Sequence, residues 1–178
     1  VFSVPGMVAK QRLNAPPLLS DAAVPSGIFE ISVAAEVPPG TYDLRAKGRF
    51  GLSNPRALIV CSKPVIRCPQ ENSNAFQALE IDGNSIYLDR ALPQGRKYFR
   101  VSLEAGERLE AVVYAAHIDS RMIPSLILYS DDARELARGR AIRQWPAELH
   151  YRAKETGDYV LAVHDFLFQG GPEYPFLL

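Results

Sequence analysis

Three histidines, two cysteines and an aspartate doublet are the residues from which a reactive centre would have to be built. His117 and Asp119 stand two apart, so on a strand they would share a face and offer two ligands to a metal. No third ligand can be named for them, and His150 and His164 form neither a close pair nor an H-E-x-x-H helix. Surface or packing roles are expected for all three. Cys61 and Cys68, in "CSKPVIRC", have a spacing that no zinc motif uses. Two alternatives stand for them. A disulfide would close a loop of about eight residues, worth roughly 2.5 kcal/mol of chain entropy, with Pro64 helping the chain reverse; otherwise they are free thiols on a connecting segment. Asp131, Asp132 and Glu135 are carboxylates of the kind calcium prefers, but the same stretch reads as the polar tip of a hairpin, and the hairpin is expected. "FGLSNP" ends in Pro55 where a nucleophile elbow needs glycine, and no phosphate-binding glycine loop occurs. The residues form no catalytic constellation, and a non-enzymatic role is expected.

Binding is the chemistry left to consider. Tyr114, Tyr129, Trp145 and Tyr151 are candidates to stack on sugar rings or on the strands of a fibrous protein; the competing reading makes most of them half-buried cross-strand partners. Arg134, Arg138, Arg140 and Arg143 read as a solvated, charged edge that discourages strand-to-strand aggregation. Lys plus Arg and Asp plus Glu are 20 each, so the net charge is zero. Nucleic acid is therefore not the expected partner, because phosphate binding needs a basic surplus. No stretch approaches 18 uninterrupted apolar residues, so no membrane-spanning helix is expected.

The elements that must position these residues are strands. Phe29, Ile31 and Val33 alternate with polar or small neighbours, as do Tyr42, Leu44 and Ala46, and "RALIV" follows at 56–60. Pro38-Pro39-Gly40, Ala105-Gly106-Glu107 and Glu155-Thr156-Gly157 read as turns. Further strands are expected at 98–103, in "RLEAVVYAAH", "SLILYS", "AELHYRA" and "DYVLAVHDF", with a hairpin across 130–142. The 178 residues fit one medium domain or two small ones. The proline-bearing, polar stretch 62–74 reads as a linker between a β unit at 1–61 and a β-sandwich at 75–178. The first unit, with its loop-like 14–27, is short for a sandwich, which usually has about seven strands. It is expected to be part of a unit that continues upstream of Val1, and the second to be the more self-sufficient.

The stretches "IDSRMIPSLILYSDDARELA", "ETGDYVLAVHDF" and "FQGGPEYPFLL" together resemble the bacterial pre-peptidase C-terminal domain, in the form found in large exported planctomycete proteins. The match rests on Gly157, Tyr159, Asp165, Gly170, Gly171 and Tyr174. "PPGTYD" and "GLSNPRALIV" resemble the closing strands of an immunoglobulin-like domain. These resemblances imply an all-β chain: a jelly-roll-like sandwich preceded by a partial immunoglobulin-like unit. They also imply a non-catalytic spacer, stabilising or adhesion module of an extracellular, cell-surface or periplasmic protein. Its partners would be other domains or chains of that protein, or a polysaccharide or matrix protein. The terminal Gly-Gly-Pro reads as a structural turn, with Pro172 fixing the exit, Asp165 bonding the turn backbone and Tyr174 packing across it. Some relatives bind calcium through an acidic strand start. Here Gln70-Glu71-Asn72 replaces the usual opening motif and Arg96-Lys97 replaces the acids, so no cofactor is expected: cations in a ligand's place repel the ion.

Overall fold

The computed structural model describes residues 1–15, 24–69, 72–143 and 145–178. Within the loop-like stretch 14–27, residues 16–23 lie outside the described residues, as do Gln70 and Glu71 of the opening motif. The chain divides into two compact units, Val1–Val60 and Cys61–Leu178. All regular structure among the described residues is strand, apart from two short 3-10 turns.

In the first unit, β1 (Met7–Asn14) and β2 (Val24–Val33) form an antiparallel pair with a register shift between Gln11 and Leu13. β3 (Gly40–Leu44) leads through the two-residue pair β4 (Lys47–Gly48) and β5 (Gly51–Leu52) to β6 (Arg56–Val60), which lies antiparallel to β3. The Tyr42 hydroxyl donates to the Pro38 carbonyl at 2.6 Å, locking the Pro-Pro-Gly turn to the strand it launches. Phe2 bridges Leu44, so "VFSV" contributes a single bridge rather than a strand. Only Met7 and Val37 are buried among the unit's described side chains, while Phe29 and Val33 are about half exposed. Alternation in the sequence marks these strands correctly, but two buried side chains do not make a core.

The second unit contains β7 (Val65–Arg67), β8 (Leu79–Glu80), β9 (Ile86–Arg90), β10 (Lys97–Leu103), β11 (Arg108–Val113), β12 (Pro124–Ser130), β13 (Glu135–Arg140), β14 (Ala147–Arg152), β15 (Gly157–Asp165) and β16 (Pro175–Leu177). One layer is a five-stranded sheet in the order β13-β12-β15-β10-β8. The other is made of the pair β11-β14 and the three strands β16-β9-β7. Period-2 alternation supplies the core between them. Phe99, Leu126, Leu128, Leu161 and Val163 from the first layer meet Tyr87, Val113, Leu149 and Phe176 from the second. Phe99 and Phe176 meet edge to face, with ring centroids 6.3 Å apart. This is the β-sandwich expected from the pattern. The hairpin expected across 130–142 is β12-β13, with its turn at Ala133 in the left-handed region (φ 62°).

Three expectations need correction. The stretch 62–74 is not a free linker: β7 within it runs parallel to β9, and the Cys68 amide donates to the Leu88 carbonyl at 2.9 Å. A three-residue strand between prolines carries too little alternation to be seen in the sequence. Cys61 and Cys68 are free thiols, so the disulfide alternative falls. Cys68 is buried beside β9, on a segment already fixed by strand pairing, whereas a loop-closing bridge would need the chain to reverse. His117 and Asp119 share no strand face: β11 stops at Val113, and the two residues belong to a 3-10 turn with Asp119 in the left-handed region (φ 56°).

Candidate functional site

The closing segment shows how backbone amides fix the geometry around β15. Asp165, buried at its end, accepts from the amides of Ile123 (2.8 Å), Leu167 (2.9 Å) and Gln169 (3.1 Å). One carboxylate therefore holds the start of β12 and the chain leaving β15. The chain then crosses from the five-stranded sheet to β16. The two glycines do different jobs. A Cβ on Gly170 would lie 2.4 Å from the Pro93 amide nitrogen and 2.5 Å from the Ala91 carbonyl oxygen, so Gly170 permits close backbone approach. Gly171 has open space around it but a φ of +107°, which disfavours any other residue. Its amide donates to Ala91, and the half-buried Tyr174 accepts from the Ala91 amide at 2.9 Å. Pro172 is exposed before β16.

A buried ionic network lies close by. Lys97, at the start of β10, is 2% exposed. Its ammonium donates to Asn72 Oδ1 at 2.9 Å and pairs with Asp89 at 3.3 Å. Asn72 Nδ2 closes the triangle to Asp89 at 3.2 Å. Lys97 and Asp89 border a 440 Å³ cavity together with Cys68, Pro172 and Pro175. Burial, and secondly the Asp89 charge, push the Cys68 thiol up to about 12, so it is inert as a nucleophile. Of the charged groups at the cavity, Lys97 and Asp89 are paired to each other, and with Asn72 they hold the segment before β8 against β9 and β10.

The outer face of the five-stranded sheet is different. Register puts Arg140 opposite Ser125, and Ser125 opposite His164. Lys97 lies opposite Val163, which sets Arg96 level with His164. One row across four strands therefore reads Arg140, Ser125, His164, Arg96, with Arg138 one alternation along β13. These side chains line a 310 Å³ cleft closed by Phe166 and Phe168. Arg140 lies over the Phe166 ring at 4.5 Å and Arg96 over the Phe168 ring at 5.8 Å. His164 stacks on Phe168, with ring centroids 4.5 Å apart and planes within 10°. Such contacts hold the flat guanidinium groups in place.

Arg138 is engaged by Glu135 through two hydrogen bonds, at 3.0 and 2.8 Å, and this pairing holds the Glu135 carboxyl below the usual range. Neither Arg96 nor Arg140 forms an ion pair with a carboxylate among the described residues, although the Arg96 charge reaches Glu135, and Arg96 Nε is buried without a hydrogen bond. His164 is 5% exposed. Its Nδ1 lies 2.8 Å from the Asp165 carbonyl, which can only accept, so Nδ1 carries the proton and Nε2 is left buried without a partner. Desolvation, reinforced by Arg96 and Arg138, holds the imidazole below its ordinary pKa against the opposing pull of the Asp165 carbonyl.

The remaining candidates are scattered. Tyr129 is half-buried on β12 opposite Glu135 and Val160. Tyr151, on β14, is half-buried and packs against Tyr159 at 5.6 Å. Tyr114 is 41% exposed and meets His117 edge to face at 5.4 Å. Trp145 is 70% exposed in the loop before β14. No ring contact joins any two of these four among the described residues. Asp132 accepts from the Ser130 hydroxyl, which lowers its pKa, and Glu135 is taken up by Arg138. No three His, Cys, Asp or Glu side chains gather to hold a metal ion among the described residues. The arginines expected as a solvated edge divide: Arg138 and Arg140 turn toward the cleft because they alternate with Gly139, which faces inward against Glu148. The signal for the cleft was present in His164, Phe166 and Phe168, three ring-bearing residues at alternate positions. Arg96 could be joined to them only through strand pairing.

No family model matches the chain, and no curated protein matches it. Among solved structures it is similar to the pre-peptidase C-terminal domain of collagenase from Bacillus anthracis, at 18% identity and a TM-score of 0.45, over 56% of this chain and 91% of that one. A weaker likeness, at 8% identity and a TM-score of 0.17, covers 85% of this chain and 81% of a structure described among carbohydrate-binding modules of the β-sandwich superfamily. No helix among the described residues is long and apolar enough to cross a membrane.

Proposed function

We propose that the chain is a non-catalytic β-sandwich module, preceded by an immunoglobulin-like β unit, within a larger exported or cell-surface protein, where it acts as spacer, stabiliser or adhesion domain. The observation that carries this reading is the use made of the buried charges. Lys97 and Asp89 are bonded to each other and to Asn72, and Asp165 accepts three backbone amides. These are groups that elsewhere serve as bases or nucleophiles, and here they fasten strands. A hydrolase and transferase activity screen of the purified chain should give no turnover. An activity that survives purification and disappears with one point substitution would overturn the reading.

An accessory binding role, to a polysaccharide or a fibrous protein, is the second reading. The specific observation in its favour is the cleft on the outer sheet face, where two guanidinium groups lack acid partners beside exposed phenyl rings. An array of glycans and matrix proteins with no signal above background would remove it.

A further inference from the structure

We infer that the Arg140–Ser125–His164–Arg96 row binds the acid group of an anionic polysaccharide, a carboxylate or sulfate borne on a sugar ring. The inference rests on the accessory-binding reading and names its ligand class.

Strands in a sheet are about 4.8 Å apart, so the two arginines that end the row stand roughly 14 Å apart at the backbone and reach inward from both sides. Each is laid against a phenyl ring, which fixes its plane and leaves N–H edges for a planar or tetrahedral oxyanion. Beneath the span lies a second, independent sign of a ligand: the unpartnered Nε2 of a histidine that is 95% removed from solvent. Buried polar atoms without a partner are rare. With Nδ1 donating to Asp165, Nε2 is a bare acceptor while the ring is neutral. It becomes a donor on protonation, which a bound anion favours. The charged groups around this ring are Arg96 from the start of β10, Arg138 and Arg140 from β13, and the Asp165 carboxylate next to it on β15, which opposes the arginines. Glu135 lies behind Arg138, and the covering residues Phe166 and Phe168 are uncharged.

The rest of the chemistry fits a sugar better than a phosphate polymer or a peptide strand. The chain has no net charge, and one of the three arginines is already shared with Glu135, so there is no track for a run of phosphates. Phe166 and Phe168 are 44% and 37% exposed, offering ring carbon to the apolar face of a sugar. Strand addition finds little purchase on this sheet. Edge strand β8 has two residues, and β13 is backed by β14 so closely that a Cβ on Gly139 would lie 2.0 Å from the Glu148 carbonyl oxygen.

The test is calorimetric titration of the full chain with oligogalacturonate (carboxylate) and with a chondroitin sulfate oligosaccharide (sulfate and carboxylate), against neutral dextran and poly-glutamate. Binding to at least one acidic glycan is expected, weakening with salt and tightening from pH 7 to 5.5, and the preference between the two names the acid. Arg96→Gln and Arg140→Gln should each weaken it about tenfold, the effect of losing one charge-assisted hydrogen bond, with an unchanged melting temperature. By NMR, the ligand should raise the titration midpoint of His164, a change that a merely structural role would not produce. Dextran binding as well as the acidic glycans, unweakened binding by the Arg96→Gln/Arg140→Gln variant, poly-glutamate binding alone, or no binding at all would each overturn the inference. Binding of dextran would leave the accessory-binding reading standing; silence from every ligand would count against both.

Discussion

Lys97→Met is the sharpest probe of what holds the second unit together. Methionine keeps most of the stem and removes only the ammonium. Asp89 would remain, with a side chain 6% exposed, holding Asn72 Nδ2 at 3.2 Å and the Arg90 amide at 2.7 Å but no counter-charge. Asn72 Oδ1 would lose its donor as well. Breaking a buried ion pair from one side costs about 3–5 kcal/mol, because the remaining charge stays desolvated. An orphaned amide oxygen adds about 1 kcal/mol or more. A loss of roughly 4 kcal/mol is expected, on the order of 10–20 °C in melting temperature for a unit of this size. The companion variant decides the cause. Lys97→Met/Asp89→Asn removes both charges and should regain about 2–3 kcal/mol, giving a coupling energy well outside the range for independent sites. The assay is urea unfolding of the full chain, followed through NMR amide signals of β9 and β10, because exposed Trp145 is a poor reporter. A cost below about 1 kcal/mol for Lys97→Met, or no recovery in the double variant, would refute the view that this pair fastens β9 to β10.

Other consequences are equally direct. Gly170→Ala should destabilise by about 1–3 kcal/mol or more by forcing a Cβ into the Ala91–Pro93 backbone. Gly171→Ala, strained only by its φ, should cost less, and chemical denaturation of the two variants reads the order. Iodoacetamide at pH 8 should spare Cys68, whose thiol sits at about 12, until the chain unfolds, and mass spectrometry of the labelled chain checks it. Acid should weaken the fold through His164. Its folded pKa lies below the unfolded value, so stability is complete above about pH 6.5 and is lost as pH falls toward the folded value. Removing the titrating ring with His164→Leu should flatten that part of the profile in pH-dependent melting. Millimolar calcium should leave the melting temperature unchanged, because Arg96, Lys97 and Arg138 stand where its acidic ligands would be expected and would repel the ion.

How much of this was legible in the sequence depends on how far apart the cooperating residues are. Strands such as 98–103 and 125–130 announce themselves because one alternating face must be buried, and that is a local property. The short strand β7 does not, since three residues between prolines carry no pattern of their own and gain a role only from lying beside β9. Asp165 could be linked to the chain that follows it because two of its donors, the Leu167 and Gln169 amides, are two and four residues away, just short of the Gly170-Gly171-Pro172 turn expected to hold the bond. Its third amide, Ile123, is 42 residues distant and invisible. The cleft is the extreme case. Arg96, Ser125, Arg140 and His164 form one row only because four strands pair in one register, and a one-residue slip in any of them would turn its member to the other face. Arg96 shows the consequence. Read along the chain, it is a cation next to Lys97 at the start of β10. Read across the sheet, it is one end of a pair of guanidinium groups without acid partners, over an imidazole whose Nε2 has none either. The same positive charge that would repel a metal cation at the start of β10 would attract an anion on the outer face.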